Sequence, residues 1–297
     1  MSTVRFAVLF FFFCTSLFTA PLRHPNITPE FLESLKPDYI DEEFGFEKAK
    51  YKIENREGWL WALGPDLASK RNNEALSFVQ ANDMKRARSI LEETKLKSPQ
   101  NVCVRYNLGR VYLFFRQHNE ALTEFRKASL IMPQYWMNFF YVGRSYELIG
   151  DNNEAVYYYR LAYRKNPYDL VPLTYLGDLL LSQNRLAEAE RVYRYCLRQD
   201  DGFNDALIGM GKLNYLNRRY YDAVIWFRMV ETNRPYKKEL HFYYGESAYY
   251  SRMYPVAVEE FQAMLNYPQD AIFEKVSLGR VRFRLGQARR LSLQSDQ

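Results

Sequence analysis

Apolar residues between about Ala68 and Asp270 follow a helical spacing. Within stretches of roughly 14 residues they fall at i, i+3, i+4 and i+7, which is the pattern of an amphipathic α-helix. Short polar breaks, such as Gln117–Asn119 and Gly150–Asn152, separate one stretch from the next. The pattern therefore predicts a succession of paired helices, each with one apolar face.

Small and large residues also recur in this region with one constant period, about 34 residues. The first ladder is a glycine that always follows an apolar residue: Gly109, Gly143, Gly177, Gly211, Gly245 and Gly279. The second ladder is an alanine: Ala87, Ala121, Ala155, Ala189, Ala223 and Ala257. Four residues after each alanine stands a large apolar side chain: Leu91, Phe125, Tyr159, Tyr193, Phe227 and Phe261. Periodicity of this kind predicts a repeat architecture.

The ladders have a simple packing interpretation. Glycine in a helix costs about 1 kcal/mol relative to alanine, so its recurrence at one register indicates that two helices approach closely there. Proline stops a helix, and a proline closes most units: Pro99, Pro133, Pro167, Pro235 and, one residue early, Pro268. A single helix pair cannot bury its apolar face alone, so neighbouring pairs must stack.

These residues resemble the tetratricopeptide repeat (TPR) family. The small residue late in the family's first helix matches the glycine ladder. The family's second-helix alanine matches the alanine ladder, and its terminal proline matches the prolines that close the units. The resemblance covers six repeats over residues 68–270, followed by a capping helix and tail over 271–297, with helix from Ala271 to about Leu285. It implies an all-α fold, a right-handed α-solenoid of about six helix-turn-helix repeats with a C-terminal capping helix.

The departures from the family pattern are few. The first repeat has Ala75 in place of the glycine. The aromatic position of Tyr112 and Tyr146 is occupied in later repeats by other residues: Leu180, Asn214, Ala248 and Arg282. A charge at Arg282 suits a terminal cap with one solvated face.

The N-terminal segment predicts export. Residues 1–20 carry one positive charge followed by an apolar run from Phe6 to Phe13, as a secretory signal does. A cleaved signal, an uncleaved membrane anchor and a lipidated Cys14 all remain possible interpretations.

Residues 21–57 contain four prolines and an acidic cluster, which favours an extended tether. The apolar segment 58–67 favours an N-terminal cap on the array, with a partner-binding hook as the alternative.

Composition adds an uneven charge. The net charge is +6, but residues 1–67 contain 7 basic and 10 acidic residues, so the repeat body alone carries +9. A basic body favours anionic partners or surfaces, although a solvated helical surface has the same composition. The candidate residues for such a surface are Arg191, Arg194, Arg198, Arg218 and Arg219.

Catalytic chemistry is not indicated. The three cysteines and three histidines lack metal-ligand spacing, and no nucleophile elbow or phosphate-binding loop occurs. Cys103 and Cys196 are interpreted as small core residues, and Asp200–Asp201 as a loop. We therefore expect no enzyme activity, no cofactor and no metal.

The expected working surface is the concave groove that TPR proteins line with their first helices. Resemblance and helical spacing together predict these groove residues: Tyr106, Arg110, Phe140, Tyr141, Arg144, Tyr175, Asp178, Lys212, Tyr215, Tyr243, Glu246 and Arg280. Rings beside spaced charges suit an extended peptide or a helix of another protein. The alternative is that several rings only complete packing between first helices. The carboxylate clamp of some TPR domains is incomplete here, since its positions hold Asn72, Leu76, Tyr106 and Arg110.

The sequence thus predicts an exported, membrane-tethered scaffold that binds protein segments during envelope or secretory-compartment assembly. The alternative is a structural module that holds anionic polymer or lipid surfaces through its basic body. Nucleic acid is not an expected partner.

Overall fold

A computed structural model describes residues 51–230, 238–266 and 277–295. The predicted export segment, most of the predicted tether, Pro235 and Pro268 lie outside these residues. A β-hairpin comes first, with strands β1 (Lys52–Arg56) and β2 (Trp59–Leu63). Thirteen helices follow within the described residues: α1 (Leu67–Gln80), α2 (Met84–Lys97), α3 (Val102–Phe114), α4 (His118–Ile131), α5 (Trp136–Ile149), α6 (Asn152–Lys165), α7 (Val171–Ser182), α8 (Leu186–Gln199), α9 (Asn204–Leu216), α10 (Tyr220–Arg228), α11 (Lys238–Tyr250), α12 (Tyr254–Asn266) and α13 (Leu278–Ser295).

The helices form a solenoid in which each packs on its neighbours in the chain. The odd-numbered helices α1 to α11 are the first helices of six repeats, the even-numbered helices are the second helices, and α13 stands at the end. The predicted all-α repeat fold is confirmed. None of the helices in the described ranges is long and apolar enough to cross a bilayer.

The glycine ladder marks where the two helices of one repeat touch. A Cβ built on Gly109 would lie 2.8 Å from the Phe125 ring, and one on Gly177 would lie 2.5 Å from the Tyr193 ring. Gly143, Gly211 and Gly245 face the corresponding rings of Tyr159, Phe227 and Phe261 in the same way. In the first repeat, Ala75 is buried with Leu91 rather than with an aromatic ring. The packing interpretation of the glycine ladder is therefore confirmed.

The turn between the two helices of a repeat uses a left-handed backbone conformation. One residue of each turn has a positive φ, and the six residues, one per repeat, are Asn82, Arg116, Gly150, Asn184, Arg218 and Arg252. Glycine adopts this conformation without strain, whereas arginine does so at a cost. At the end of a repeat, Pro99, Pro133 and Pro167 each come two residues after the last helical residue, as predicted.

A buried ion network joins the first two repeats. Arg105 on α3 binds Glu124 on α4 at 2.7 Å, and both side chains are about 95% buried. Lys95 on α2 reaches the other carboxylate oxygen of Glu124 at 3.2 Å. Buried charges persist when their partners are well placed, so this network fixes the geometry of the inter-repeat junction.

Three boundaries differ from the prediction. Strand β1 covers residues 52–56, which the sequence predicts as part of the extended tether. Helix α10 has only nine residues, shorter than the expected 14. Helix α13 continues ten residues past Leu285, because the residues that follow, such as Ala288 and Leu291, are good helix formers and no proline intervenes. Residues 271–276 lie outside the described residues.

Cys103 and Cys196 are buried free thiols, as the sequence predicts. Burial raises the pKa of the Cys196 thiol to about 12. This sulfur is therefore a core atom that stays protonated at neutral pH.

Candidate peptide-binding groove

The inner face of the solenoid is the side of the first helices that turns away from the second helices. In repeats one and two this face carries the hairpin. Tyr51, Leu60 and Ala62 are buried in the same core as the repeats. The hairpin turn has positive φ at both Glu57 and Gly58, as a two-residue type I′ turn requires. Segment 58–67 thus lies along the first helices.

Asparagine side chains hold strand β2 through its backbone. The Leu60 carbonyl accepts hydrogen bonds from Asn72 Nδ2 at 2.9 Å and from Asn107 Nδ2 at 2.7 Å. The Leu60 N–H donates to Asn107 Oδ1 at 3.0 Å. Asn73 forms the same pair of bonds with the N–H and carbonyl of Ala62, at 3.0 and 2.9 Å. These three amides replace the neighbouring strand that β2 lacks on this edge.

The repeat pattern of the sequence did not identify this role of the asparagines. Asn73 and Asn107 are one repeat period apart, so they occupy the same register of consecutive first helices. That spacing was a usable signal, because an amide repeated at one inward position can bind an extended backbone. Asn72 was considered only as part of an incomplete carboxylate clamp.

Tyr106 is interior in this arrangement. Its ring is fully buried and makes edge contacts with Phe125, Tyr135 and Tyr141 at centroid distances of 5.5 to 5.9 Å. Burial raises the pKa of Tyr106 well above its ordinary value. Tyr106 therefore has the environment of a packing residue, as expected from the alternative that some rings only complete packing between helices.

Arg110 also contacts the hairpin. Its guanidinium lies over the Trp59 ring at 3.9 Å and near the Tyr141 ring at 5.8 Å. A cation over an indole face is an attractive pair. The most basic end of the predicted groove is therefore covered by a segment of the same chain.

The third and fourth repeats form the middle of the inner face. Phe140 is buried, and Tyr141 stacks on Phe125 at 4.9 Å. Arg144 binds Glu147 at 2.8 Å and lies 5.5 Å from the Tyr175 ring. Both Arg144 and Tyr175 remain partly exposed.

Four of the six charged residues predicted one per repeat form ion pairs with each other, Lys212 with Asp178 and Arg280 with Glu246. Lys212 Nζ lies 3.3 Å from Asp178 and 3.0 Å from Glu239. Burial alone would lower the pKa of Lys212, but these two carboxylates outweigh it and raise the pKa above its ordinary value.

Glu246 forms the second such cluster, with arginines of the last helix. Its fully buried carboxylate binds Arg280 at 3.2 Å and Arg284 at 2.9 Å. The spacing placed one charge on each repeat but did not identify Glu147, Glu239 or Arg284 as their partners.

Tyr215 and Tyr243 complete the distal part of the inner face. Their rings meet edge to face at 5.2 Å, and both are partly exposed. Burial raises the pKa of Tyr215 to about 12. We call Tyr175, Tyr215 and Tyr243 the distal tyrosines. They are the predicted groove rings of repeats four to six, and each is partly exposed.

The described residues contain no group of three or more His, Cys, Asp or Glu side chains that could hold a metal ion. The one notable histidine contact joins His241 Nδ1 to Glu260 at 2.8 Å, between α11 and α12. The chemistry that the inner face offers is thus hydrogen bonding, ring contact and charge pairing.

Two models of tetratricopeptide repeats match this sequence, one over residues 104–135 and the other over residues 176–238. Both segments coincide with helix pairs that carry the glycine and alanine ladders. The two matched segments belong to the tetratricopeptide repeat family. TPR domains generally act as protein–protein interaction scaffolds. A search of curated protein sequences found no significant match.

Several solved TPR structures share the fold. A TPR protein from Parabacteroides merdae is 17% identical with a TM-score of 0.57, and the match covers 75% of this chain and 87% of that one. PilW, a type IV pilus biogenesis factor, is 17% identical with a TM-score of 0.59, covering 74% and 100%. Yeast Tom70 is 13% identical with a TM-score of 0.58, covering 77% and 47%. At these identities the similarity concerns the fold alone.

Proposed function

We propose that this TPR protein is an exported, non-enzymatic scaffold that binds a segment of a partner protein on the inner face of repeats three to six. One observation carries the proposal. Strand β2 already lies extended on the same face in repeats one and two, held by asparagine amides through its backbone. Backbone contacts recognise an extended shape, and side-chain pockets add specificity.

The distal tyrosines supply the anchors for such a segment. Tyrosine combines a large contact area with a polar tip and is enriched among residues that dominate binding energy. The charge clusters of Lys212 and Glu246 flank the rings and are themselves internally paired. We infer that the rings bind apolar side chains of the partner and that the clusters set its register.

The proposed groove can be tested with peptides selected from a random display library against the full chain. Affinity is then measured by fluorescence anisotropy for wild type, Tyr215→Ala and Tyr243→Ala. We expect each substitution to weaken binding about tenfold, as loss of an anchor ring does. Tyr221→Ala is the matched control, since Tyr221 is 64% exposed on a second helix. Selected peptides that bind both groove variants at wild-type affinity would exclude this site.

Export and membrane tethering form a separate part of the proposal, which the signal-like start of the sequence supports. The partner would then belong to the envelope or secretory compartment. Cell fractionation followed by N-terminal sequencing of the mature protein tests this. Recovery of the chain in the cytoplasm with Met1 and the apolar segment intact would contradict it.

A further inference from the structure

Helix α13 has an unusual charge composition. Its 18 residues contain five arginines and no acidic residue. One side of the helix packs on α12, where Val281, Leu285 and Ala288 are buried together with Phe261 and Met264. Because no later helix covers α13 among the described residues, its opposite side forms the end face of the solenoid.

Only part of the arginine charge on α13 is neutralised. Arg280 and Arg284 bind Glu246 on α11. Arg289 donates to the neutral Gln262 at 2.8 Å. Arg282 and Arg290 are exposed and form no ion pair within the described parts of the chain. The end face therefore carries an uncompensated positive charge.

The same exposed side carries two large apolar residues. Phe283 is 65% exposed and Leu293 is 70% exposed. They stand ten residues apart, about 15 Å along a helix, with Arg289 and Arg290 between them. The last helix of a solenoid normally presents a polar outer face, which keeps the array soluble. The end face of α13 differs from such a polar cap, because Phe283 and Leu293 protrude among arginines that have no ion pair.

Within the described residues, no second helix packs on the last member of the glycine ladder. A Cβ on Gly279 would meet only Ser277 Oγ, at 4.0 Å, whereas the ladder glycines from Gly109 to Gly245 each face an aromatic ring of their own repeat. A Cβ built on Gly286 would meet nothing within 4 Å outside its own helix backbone. The end face is therefore a shallow surface, with protruding side chains.

We propose that this end face, defined by Arg282, Phe283, Arg289, Arg290 and Leu293, binds the surface of a membrane that contains anionic lipids. Guanidinium groups bind phosphate through two parallel hydrogen bonds. Phenylalanine and leucine enter the boundary between headgroups and acyl chains, and anionic lipids add electrostatic attraction. A bilayer satisfies all five side chains at once, because phosphates overlie hydrocarbon everywhere on its surface. This surface is separate from the inner face and does not depend on peptide binding.

The charge requirement is tested by co-sedimentation of the full chain with vesicles of phosphatidylcholine, either alone or in a two-to-one mixture with phosphatidylglycerol. The measured quantity is the increase in binding that the anionic lipid causes, since the N-terminal apolar segment can bind both vesicles. We expect Arg282→Glu with Arg290→Glu to reduce this increase at least tenfold. The control is Arg160→Glu with Arg164→Glu, two exposed residues of α6, which changes the net charge equally and should leave the increase intact.

The apolar requirement is tested with Phe283→Ala and Leu293→Ala, which leave the charge unchanged. We expect a severalfold loss of binding to the anionic vesicles, with the helical circular dichroism of wild type. Equal affinity of this variant would exclude insertion into the bilayer.

Three results would overturn the membrane proposal. The first is equal binding to both vesicle types by wild type. The second is an equal loss in the control reversal, which would mean that only the overall charge matters. The third is binding to soluble polyglutamate but not to vesicles, with the same dependence on Arg282 and Arg290, which would identify an acidic protein partner instead.

Discussion

The side-chain amide of Asn107 pairs with the backbone of Leu60 as a neighbouring strand would, with Nδ2 to O at 2.7 Å and N to Oδ1 at 3.0 Å. Both residues are fully buried. Removing the amide leaves the Leu60 N–H without a partner in a dry interior. An orphaned buried group of this kind costs about 1–3 kcal/mol.

Asn107→Ala should therefore lower the free energy of unfolding by about 2 kcal/mol. It should also loosen the hairpin, so that trypsin cleaves sooner after Arg56. Urea denaturation and a proteolysis time course measure the two effects. Asn119→Ala, an exposed asparagine at the start of α4, is the control. An unchanged rate of cleavage at Arg56 would show that the hairpin is held by other contacts.

Substitution of glycine by alanine should have opposite effects on stability at two helical sites, Gly211 and Gly286. A Cβ on Gly211 would lie 2.4 Å from the ring of Phe227, which is 2% exposed and has no room to move. Gly211→Ala should destabilise the protein by about 1–3 kcal/mol through overpacking. Gly286→Ala fills empty space in a helix and should stabilise α13 by up to about 1 kcal/mol. Thermal and urea unfolding distinguish these outcomes, and equal effects would contradict the close-approach interpretation.

The ion network at the first junction should be sensitive to loss of its central charge. Glu124→Gln leaves Arg105 buried without a counter-charge, so we expect a loss of about 3–5 kcal/mol. Glu93→Gln removes the exposed partner of Lys97, a contact of 2.6 Å, and should change stability little because water screens such pairs. Equilibrium unfolding of the two variants provides the comparison. A small loss in both would mean that Arg105 finds other partners.

Stability should decrease at alkaline pH. Burial raises the pKa of Tyr106 and Tyr193 well above the ordinary value and that of Tyr215 to about 12. The folded protein keeps these protons while the unfolded chain releases them near pH 10, so the stabilisation is complete below pH 10 and is lost as pH rises through the folded pKa. The raised pKa of Lys212 acts in the same direction.

Each shielded tyrosine should lower the free energy of unfolding by roughly 1 kcal/mol at one pH unit above its unfolded pKa. Urea midpoints between pH 8 and 11 measure the trend, and absorbance of tyrosinate counts ionised rings in native and unfolded protein. Tyr168→Phe, at a side chain that is 97% exposed, should leave the trend unchanged. A flat profile to pH 11 would contradict the assigned burial.

The fold could be predicted from the sequence because its contacts are local. Gly177 and Tyr193 lie on the two helices of one repeat, so a single repeat period contains both halves of the contact. The same locality explains why Pro99, Pro133 and Pro167 marked the repeat ends correctly. Helix ends that no proline or glycine marks, such as Ser295, depend on how far packing supports the last helix. The periodic pattern of the sequence did not predict them.

The groove was less predictable, because its geometry depends on contacts between distant segments. The apolar segment from Trp59 to Leu63 indicated burial but not where the segment is buried. The charge spacing placed Asp178 and Lys212 on the first helices of successive repeats. Whether they bind each other depends on the distance between repeats, and the sequence does not contain that distance.

The hairpin also changes the order in which the array can unfold. Repeats in a solenoid contact only their neighbours, so stability is transmitted step by step along the chain. Here Asn55 on β1 donates to the Tyr135 hydroxyl at 2.9 Å, across 80 residues, while β2 binds helices of repeats one and two. The first three repeats are therefore joined into one cooperative unit, and the later repeats can open singly. Amide hydrogen exchange should show a single slow class at the N-terminal end and graded protection toward α13.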